Sequence, residues 1–304
     1  MESIPRPVAG IDRRGALLVF GSAAVWSFGG AIARFLSVTD SWTIIFWRSI
    51  CAAVFLLGFM LKREGWAGTR RMFHSMGLPG VGVALCFATA STCFVVALAH
   101  TTVANILLMQ AGAPLFAALM AWLMFRERAG PATWAAIGAV ITGVAIMVSD
   151  SVSGKASPVG DALAVLISVA FAGATVLTRR HANVRMMPAV FLGTVICMAV
   201  AGPLAGDMQV SAMDALLLFI FGALNLALGM MLFVTGVRLL PAALAALIGT
   251  AEPVLGPVWV WLVHGEVPSG RTLTGGGVVI VALLLHLGWQ FRQQNHLANV
   301  PMAD

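Results

Sequence analysis

TTVANILLMQAGAPLFAALMAWLMFRER, residues 101–128, is the stretch on which the fold turns. Between Val103 and Phe125 it carries no charge, and about 20 mostly apolar residues suffice to cross the hydrocarbon core as a helix. Pro114 stands in the middle, and the run ends on Arg126-Glu127-Arg128. The same layout returns 139 residues later in LPAALAALIGTAEPVLGPVWVWLVHGE, residues 240–266. That shift superposes Ala104 on Ala243, Leu108 on Leu247, Pro114 on Pro253, Trp122 on Trp261, Leu123 on Leu262 and Glu127 on Glu266. Thr133 with Thr272 and Gly138 with Gly277 carry the match into the next segment. Near the start an offset of about 145 pairs Trp26 with Phe171 and Arg34 with Arg179. Small apolar residues coincide cheaply, but a shared proline followed 13 residues later by a shared glutamate does not.

Outward from that pair, the whole chain reads the same way. Of its 304 residues 60% are hydrophobic and 10% charged, with a mean hydropathy of +0.95; soluble domains run nearer 45–50% apolar and about 25% charged. This excludes an ordinary soluble enzyme, a disordered chain and a conventional nucleic-acid binder. Ten apolar runs follow, at 16–36, 42–61, 76–99, 103–125, 131–149, 159–178, 188–206, 212–235, 240–263 and 272–291. The expected fold class is all-α and polytopic: ten transmembrane helices as two five-helix repeats, residues 1–150 and 151–304. An odd number of spans per repeat inserts the halves in opposite orientations, the arrangement of transporters that hold substrate near the midplane.

The net charge of +6 resolves into an orientation. With the N-terminus inside, the inner segments hold 14 basic residues: Arg6, Arg13, Arg14, Lys62, Arg63, Arg70, Arg71, Arg126, Arg128, Arg179, Arg180, Arg185, Arg238 and Arg292. The outer loops hold 2, Lys155 and Arg271. That bias places both termini in the cytoplasm and removes any need for a nucleic-acid partner. Cys51, Cys86, Cys93 and Cys197 lie in apolar runs without metal spacing, so no metal or other cofactor is expected. H-E-x-x-H and G-x-S-x-G are absent, which argues against an intramembrane enzyme.

Candidate site residues are those that break the composition. Glu252 is an acid deep inside a run, and such groups are functional candidates by default: it could bind a substrate ammonium, carry a proton, or lock helices by pairing with an arginine. Arg48, about two turns into the second run, could snorkel, pair with Glu252, or hold a substrate carboxylate. Arg34, near a helix end, is expected to snorkel. Pro114 leaves the carbonyl of Gln110 without its helical donor and Pro253 does the same for Gly249; with Pro257 one turn on, these are candidate hinges or helix breaks. Asn105 and Met109 share a helix face, Asn225 is an amide in the eighth run, and Trp26 and Phe28 set aromatic bulk beside Gly29-Gly30. The fifth and tenth runs, rich in Ala and Gly (Ala135, Ala139, Gly143), suit close packing or lipid contact rather than a site.

Trp26-Ser27-Phe28-Gly29-Gly30, Arg48, Pro114…Arg126-Glu127-Arg128 and Pro253…Gly265-Glu266 resemble the drug/metabolite transporter superfamily. Its EamA-type branch is the nearest, and within that the YddG-type aromatic amino-acid exporters of bacterial inner membranes. The resemblance implies a central cavity bounded by helices one to four and six to nine, with helices five and ten peripheral. It implies export of aromatic and other neutral or hydrophobic amino acids, cationic drugs or metabolites such as nucleotide sugars being the alternative within the same fold. The expected partners are thus a small amino-acid substrate and membrane lipid. It also implies that Glu127 and Glu266 cap helix ends. No arginine stands in the seventh run as Arg48 does in the second, so substrate contacts need not follow the repeat.

Overall fold

The computed structural model describes residues 13–126, 130–152, 157–181, 183–236, 239 and 248–298. Among these there is no strand. Glu127 and Arg128, Arg6, Lys155, Arg238, and the first part of the expected ninth run (240–247) lie outside the described residues. Among the described residues seven helices are long and apolar enough to cross a membrane, eight if one bent pair counts as a single span.

The helices are interrupted in informative places. α1 (Arg13–Ser27) and α2 (Gly29–Phe35) form one apolar stretch broken at Phe28. α3 runs from Ser41 to Leu98; a straight helix of that length would be close to 90 Å long, about three bilayer cores. Gly65 (φ 67°) and Gly77 (φ 52°) break it with left-handed backbone that glycine alone adopts freely. The limbs before and after these breaks lie side by side, since Arg48 on the first reaches Ser91 on the second. The two expected runs 42–61 and 76–99 are therefore linked by a helical segment and not by an irregular loop.

α4 (Val103–Gln110) and α5 (Ala113–Phe125) are bent by 42° across Ala111-Gly112, with Pro114 in the first turn of α5. The proline supplies no N–H where the first turn of a helix needs no internal acceptor, so the break costs little. α6 (Pro131–Val152), α7 (Pro158–Arg180) and α8 (Met187–Leu204) follow. α9 (Ala212–Phe219) passes through a π-helical segment, Ile220–Leu228, into α10 (Gly229–Gly236). α11 (Ala251–His264) starts after a turn at Thr250, with Pro253 in its first turn and Pro257 inside it; α12 is Gly270–Ala298.

Lipid tails are as apolar as leucine, so association rests on close packing and interhelical hydrogen bonds. α6 and α12 show the first. Gly143 faces the carbonyl of Gly275, where an added Cβ would lie 2.7 Å away, and Gly275 in turn faces the carbonyl of Gly143. The N-terminus of α3 shows the second. Asp40 accepts from the N–H groups of Trp42 and Thr43 and from the Thr43 hydroxyl at 2.7 Å, and from Gly206 N–H across the molecule. Burial pushes the Asp40 carboxyl up, but these hydrogen bonds outweigh it and hold it below the ordinary carboxylate value.

Two outcomes follow from this packing. Gly143→Ala overpacks the α6–α12 contact at a cost of about 1–3 kcal/mol and lowers the unfolding temperature in detergent. Gly138→Ala, on the same helix with nothing within 4 Å of its new Cβ, leaves that temperature unchanged or slightly raised. Because the carboxyl of Asp40 is depressed, its contribution is present above the ordinary carboxylate range and is lost as pH falls through the lowered value. Asp40→Ala, which removes a cap worth about 1 kcal/mol, flattens that acid limb of the unfolding-temperature profile.

Candidate functional site

Four backbone irregularities converge on one interior chamber. They are the α1–α2 break at Phe28, the α4–α5 bend, the π-segment and the turn before α11. The chamber has a volume of about 80 Å³ and is lined by side chains of α1, α3, α4, α7, α8, the π-segment, α10 and α11. Neither α6 nor α12 contributes to it. At roughly 10–15 Å³ per water centre it has room for a few waters.

Arg48 is its cationic wall. The side chain is 5% exposed. One guanidinium N–H donates to Ser91 Oγ at 3.2 Å, and the group lies 4.1 Å from the ring centre of Phe221 and 6.0 Å from that of Phe94. Its Nε has no hydrogen-bond partner and no carboxylate pairs with it among the described residues. Rings within about 6 Å offset part of the cost of burying a cation. The placement has a sequence cause: Gly222 sits against the carbonyl of Arg48 where any Cβ would collide. That close approach brings its neighbour Phe221, which is fully buried, beneath the guanidinium. Arg48 neither snorkels nor pairs with Glu252.

Glu252, in the first turn of α11, lines the same chamber. It too has no hydrogen-bond or ion-pair partner among the described residues. A helix N-terminus is a favourable place for a carboxylate. Gln110, the last residue of α4, completes the polar lining from the other broken helix. α4 and α11 cross closely because Gly256 packs against Leu107, so their two breaks deliver Gln110 and Glu252 to the same space.

Asn225 lines the chamber from the π-segment, yet its amide N–H groups donate to the carbonyls of Val25 (2.5 Å) and Trp26 (3.4 Å) beside the α1–α2 break, where Val25 also accepts from Phe28 N–H at 3.4 Å. Trp26 presents its ring beside Phe233, with Gly229 against the indole nitrogen. Five of the eight expected site residues thus meet here: Trp26, Arg48, Gln110, Asn225 and Glu252. Three do not. Phe28 stacks on Trp259 at 4.9 Å and is 44% exposed. Asn105 donates to Asp161 Oδ1 at 2.6 Å and to Thr101 at 3.0 Å, and both Asn105 and Asp161 are buried. Met109 is fully buried, and its carbonyl accepts from Ser168 at 3.0 Å.

Sequence reasoning missed Ser91, Thr194 and Cys197, and the aromatic wall of Phe87, Phe94 and Phe171. Phe171 had a signal, since the repeat superposes it on Trp26, and both line the chamber. Arg34 is corrected as well. Instead of snorkelling it pairs with Glu266 at 3.0 Å and donates to the carbonyls of Leu98 and Thr101. Glu266 also accepts from Val103 N–H at 2.7 Å, in the first turn of α4.

Comparison with known proteins fits this architecture. The model of the EamA-like transporter family matches residues 13–149 and again 158–288. The pseudopaline exporter CntI of Pseudomonas aeruginosa is 27% identical over 277 residues, covering 90% of this chain and 95% of its own length. A riboflavin transporter of Rhizobium johnstonii is 26% identical over 292 residues, covering 92% and 93%. One crystal structure superposes with a TM-score of 0.63 over 90% of this chain and 96% of its own, at 17% identity.

Proposed function

Because the chain belongs to the EamA-like transporter family, we propose for it a specific cargo and transport cycle: export of amino acids, aromatic and other neutral or hydrophobic ones, by alternating access through the chamber. The chain is a multi-pass inner-membrane transporter and not an enzyme. The observation that carries the cargo is a basic and an acidic side chain left without partners. Arg48 and Glu252 line one space without binding each other, and each lacks a counter-ion among the described residues. A zwitterion satisfies both once the chamber, about 80 Å³ in this conformation, widens to admit it. Its carboxylate meets the open Nε face of Arg48 and its ammonium meets Glu252, while an apolar side chain rests among Trp26, Phe87, Phe94 and Phe171. A nucleotide sugar would ask for several interior cations, and a cationic drug would meet Arg48 as a like charge.

The two relatives described above carry different cargoes by name, a pseudopaline exporter and a riboflavin transporter, so kinship does not choose among substrates. The cycle we infer uses ten spans as two inverted repeats, 1–150 and 151–304, with both termini cytoplasmic. In its favour stand the 14-to-2 distribution of basic residues and the double family match. The breaks in α3 divide Ser41–Leu98 into two membrane-length limbs, and the apolar sequence run 240–263 is read as the remaining span. Pro114, Pro253 and Pro257 act as the hinges about which the broken helices α4–α5 and α11 flex.

The test is counterflow in liposomes holding the purified protein, with labelled phenylalanine, threonine, a nucleotide sugar and a viologen in parallel. Phenylalanine and threonine exchange while the other two do not. Loss of a hydrogen bond to a charged group costs roughly 1.5–3 kcal/mol, so Arg48→Gln lowers amino-acid exchange by about tenfold or more. Glu252→Gln reduces it and changes its pH dependence. If no amino acid moves, the cargo is wrong; if Glu252→Gln exports like wild type at every pH, Glu252 has no part in it.

A further inference from the structure

The segment WAGTRRMFHSM, residues 66–76, is bounded by the left-handed glycines Gly65 and Gly77 and joins the two limbs of α3. It is basic and amphipathic, and with Lys62 and Arg63 just before it brings four cationic side chains to one end of the helices. Beside it lies a groove of about 370 Å³, separate from the transport chamber, lined by Leu57, Trp66, Thr69, Arg70, Phe73 and His74.

Two observations mark this groove as built for a ligand. Thr69 is 4% exposed, and its hydroxyl has no hydrogen-bond partner among the described residues. A helical threonine ordinarily donates to the carbonyl four residues back; here that residue is Gly65, where the backbone leaves the helix. Trp66, in contrast, is 75% exposed, although tryptophan at a membrane protein's surface belongs at the headgroup level. Arg70 and His74 are exposed on the same segment. Glu64, the acid adjacent in sequence, is already engaged by Arg185 at 3.0 Å and Arg63 at 4.0 Å, so it does not neutralise the groove.

We propose that this groove binds the headgroup of an anionic phospholipid. The lipid phosphate takes hydrogen bonds from the Arg70 guanidinium and the Thr69 hydroxyl, with His74 at the rim. Leu57 and the rings of Phe73 and Trp66 flank the glycerol and the first acyl carbons. A basic juxtamembrane cluster attracts anionic lipid in general; the buried, unpartnered hydroxyl beside an apolar wall makes this a seat for one molecule. The site does not depend on the cargo assigned above, only on the chain spanning a membrane.

Native mass spectrometry of the full chain, released from detergent with added phosphatidylglycerol or phosphatidylcholine, tests it. One phosphatidylglycerol is retained, and phosphatidylcholine much less. Arg70→Gln lowers retention roughly fivefold, the size expected of one basic residue at an anionic surface. Thr69→Val, nearly isosteric and free of the orphan hydroxyl, lowers it as well. Arg126→Gln, which removes an exposed arginine from the end of α5, leaves it unchanged. Equal retention of the two lipids, indifference to both groove variants, or an equal loss with Arg126→Gln overturns the proposal. Displacement of the lipid by millimolar inorganic phosphate also overturns it, since the groove would then take free phosphate.

Discussion

A backbone inside hydrocarbon must satisfy its own N–H and carbonyl groups, because no water is there to do so. Everything else in this molecule is arranged around that constraint. The regular helices meet it alone, and α6 and α12 do so with so little polar chemistry that they can pack glycine to glycine. The irregular ones inside the bundle need help, and their breaks are turned inward, whereas the breaks in α3 at Gly65 and Gly77 lie at the exposed end of the helices. Val25 and Trp26 give their carbonyls to Asn225, and Ser27 bridges the same break, donating to Ala24 and accepting from Trp259. Helix breaks that would be costly against lipid become, when enclosed, the source of the few polar groups in a largely apolar chamber.

The π-segment shows how one such irregularity is used. Its wider turn sets Gly222 against the Arg48 carbonyl and Phe221 under the guanidinium. π-Bulges recur at functional sites because they re-aim side chains that a regular helix would rotate away. Without that approach, Arg48 would lose the ring that offsets its desolvation. Glycine at 222, the aromatic ring at 221 and the cation at 48 are therefore one device contributed by two distant parts of the chain.

Much of this was legible in the sequence, and the physics explains which parts. A charge in an apolar run is conspicuous, so Arg48 and Glu252 stood out, and both line the chamber. Prolines advertise helix breaks, and Pro114 and Pro253 sit in the first turns of restarted helices. The amides were harder. Asn105 lies on a face that depends on how α4 is rotated, and it turned toward Asp161, an acid that reads in sequence as merely close to the start of a run. The π-segment has no sequence signature at all, since its residues would serve equally in an α-helix. Gly65 and Gly77 could have announced the breaks in α3, but glycine is too common here, 32 of 304 residues, to single out two.

The distribution of polar partners carries the last step. Around the rim, residues early in the chain bind residues late in it: Arg34 with Glu266, Asn105 with Asp161, Ser37 with Asp214, Asp40 with Gly206, Trp47 with the carbonyl of Met208. There the charges and hydrogen-bonding groups are matched. In the chamber, Arg48 and Glu252 are not. Stability cannot account for that difference, because replacing a buried charge with an apolar residue of similar volume is often neutral or favourable. A chain that pairs its polar groups across the rim, yet leaves a cation and an acid unpaired a short way inside, is what the proposed ligand site requires. A zwitterion answers both groups at once, its carboxylate on the cation and its ammonium on the acid, which is why the proposed cargo fits this chamber.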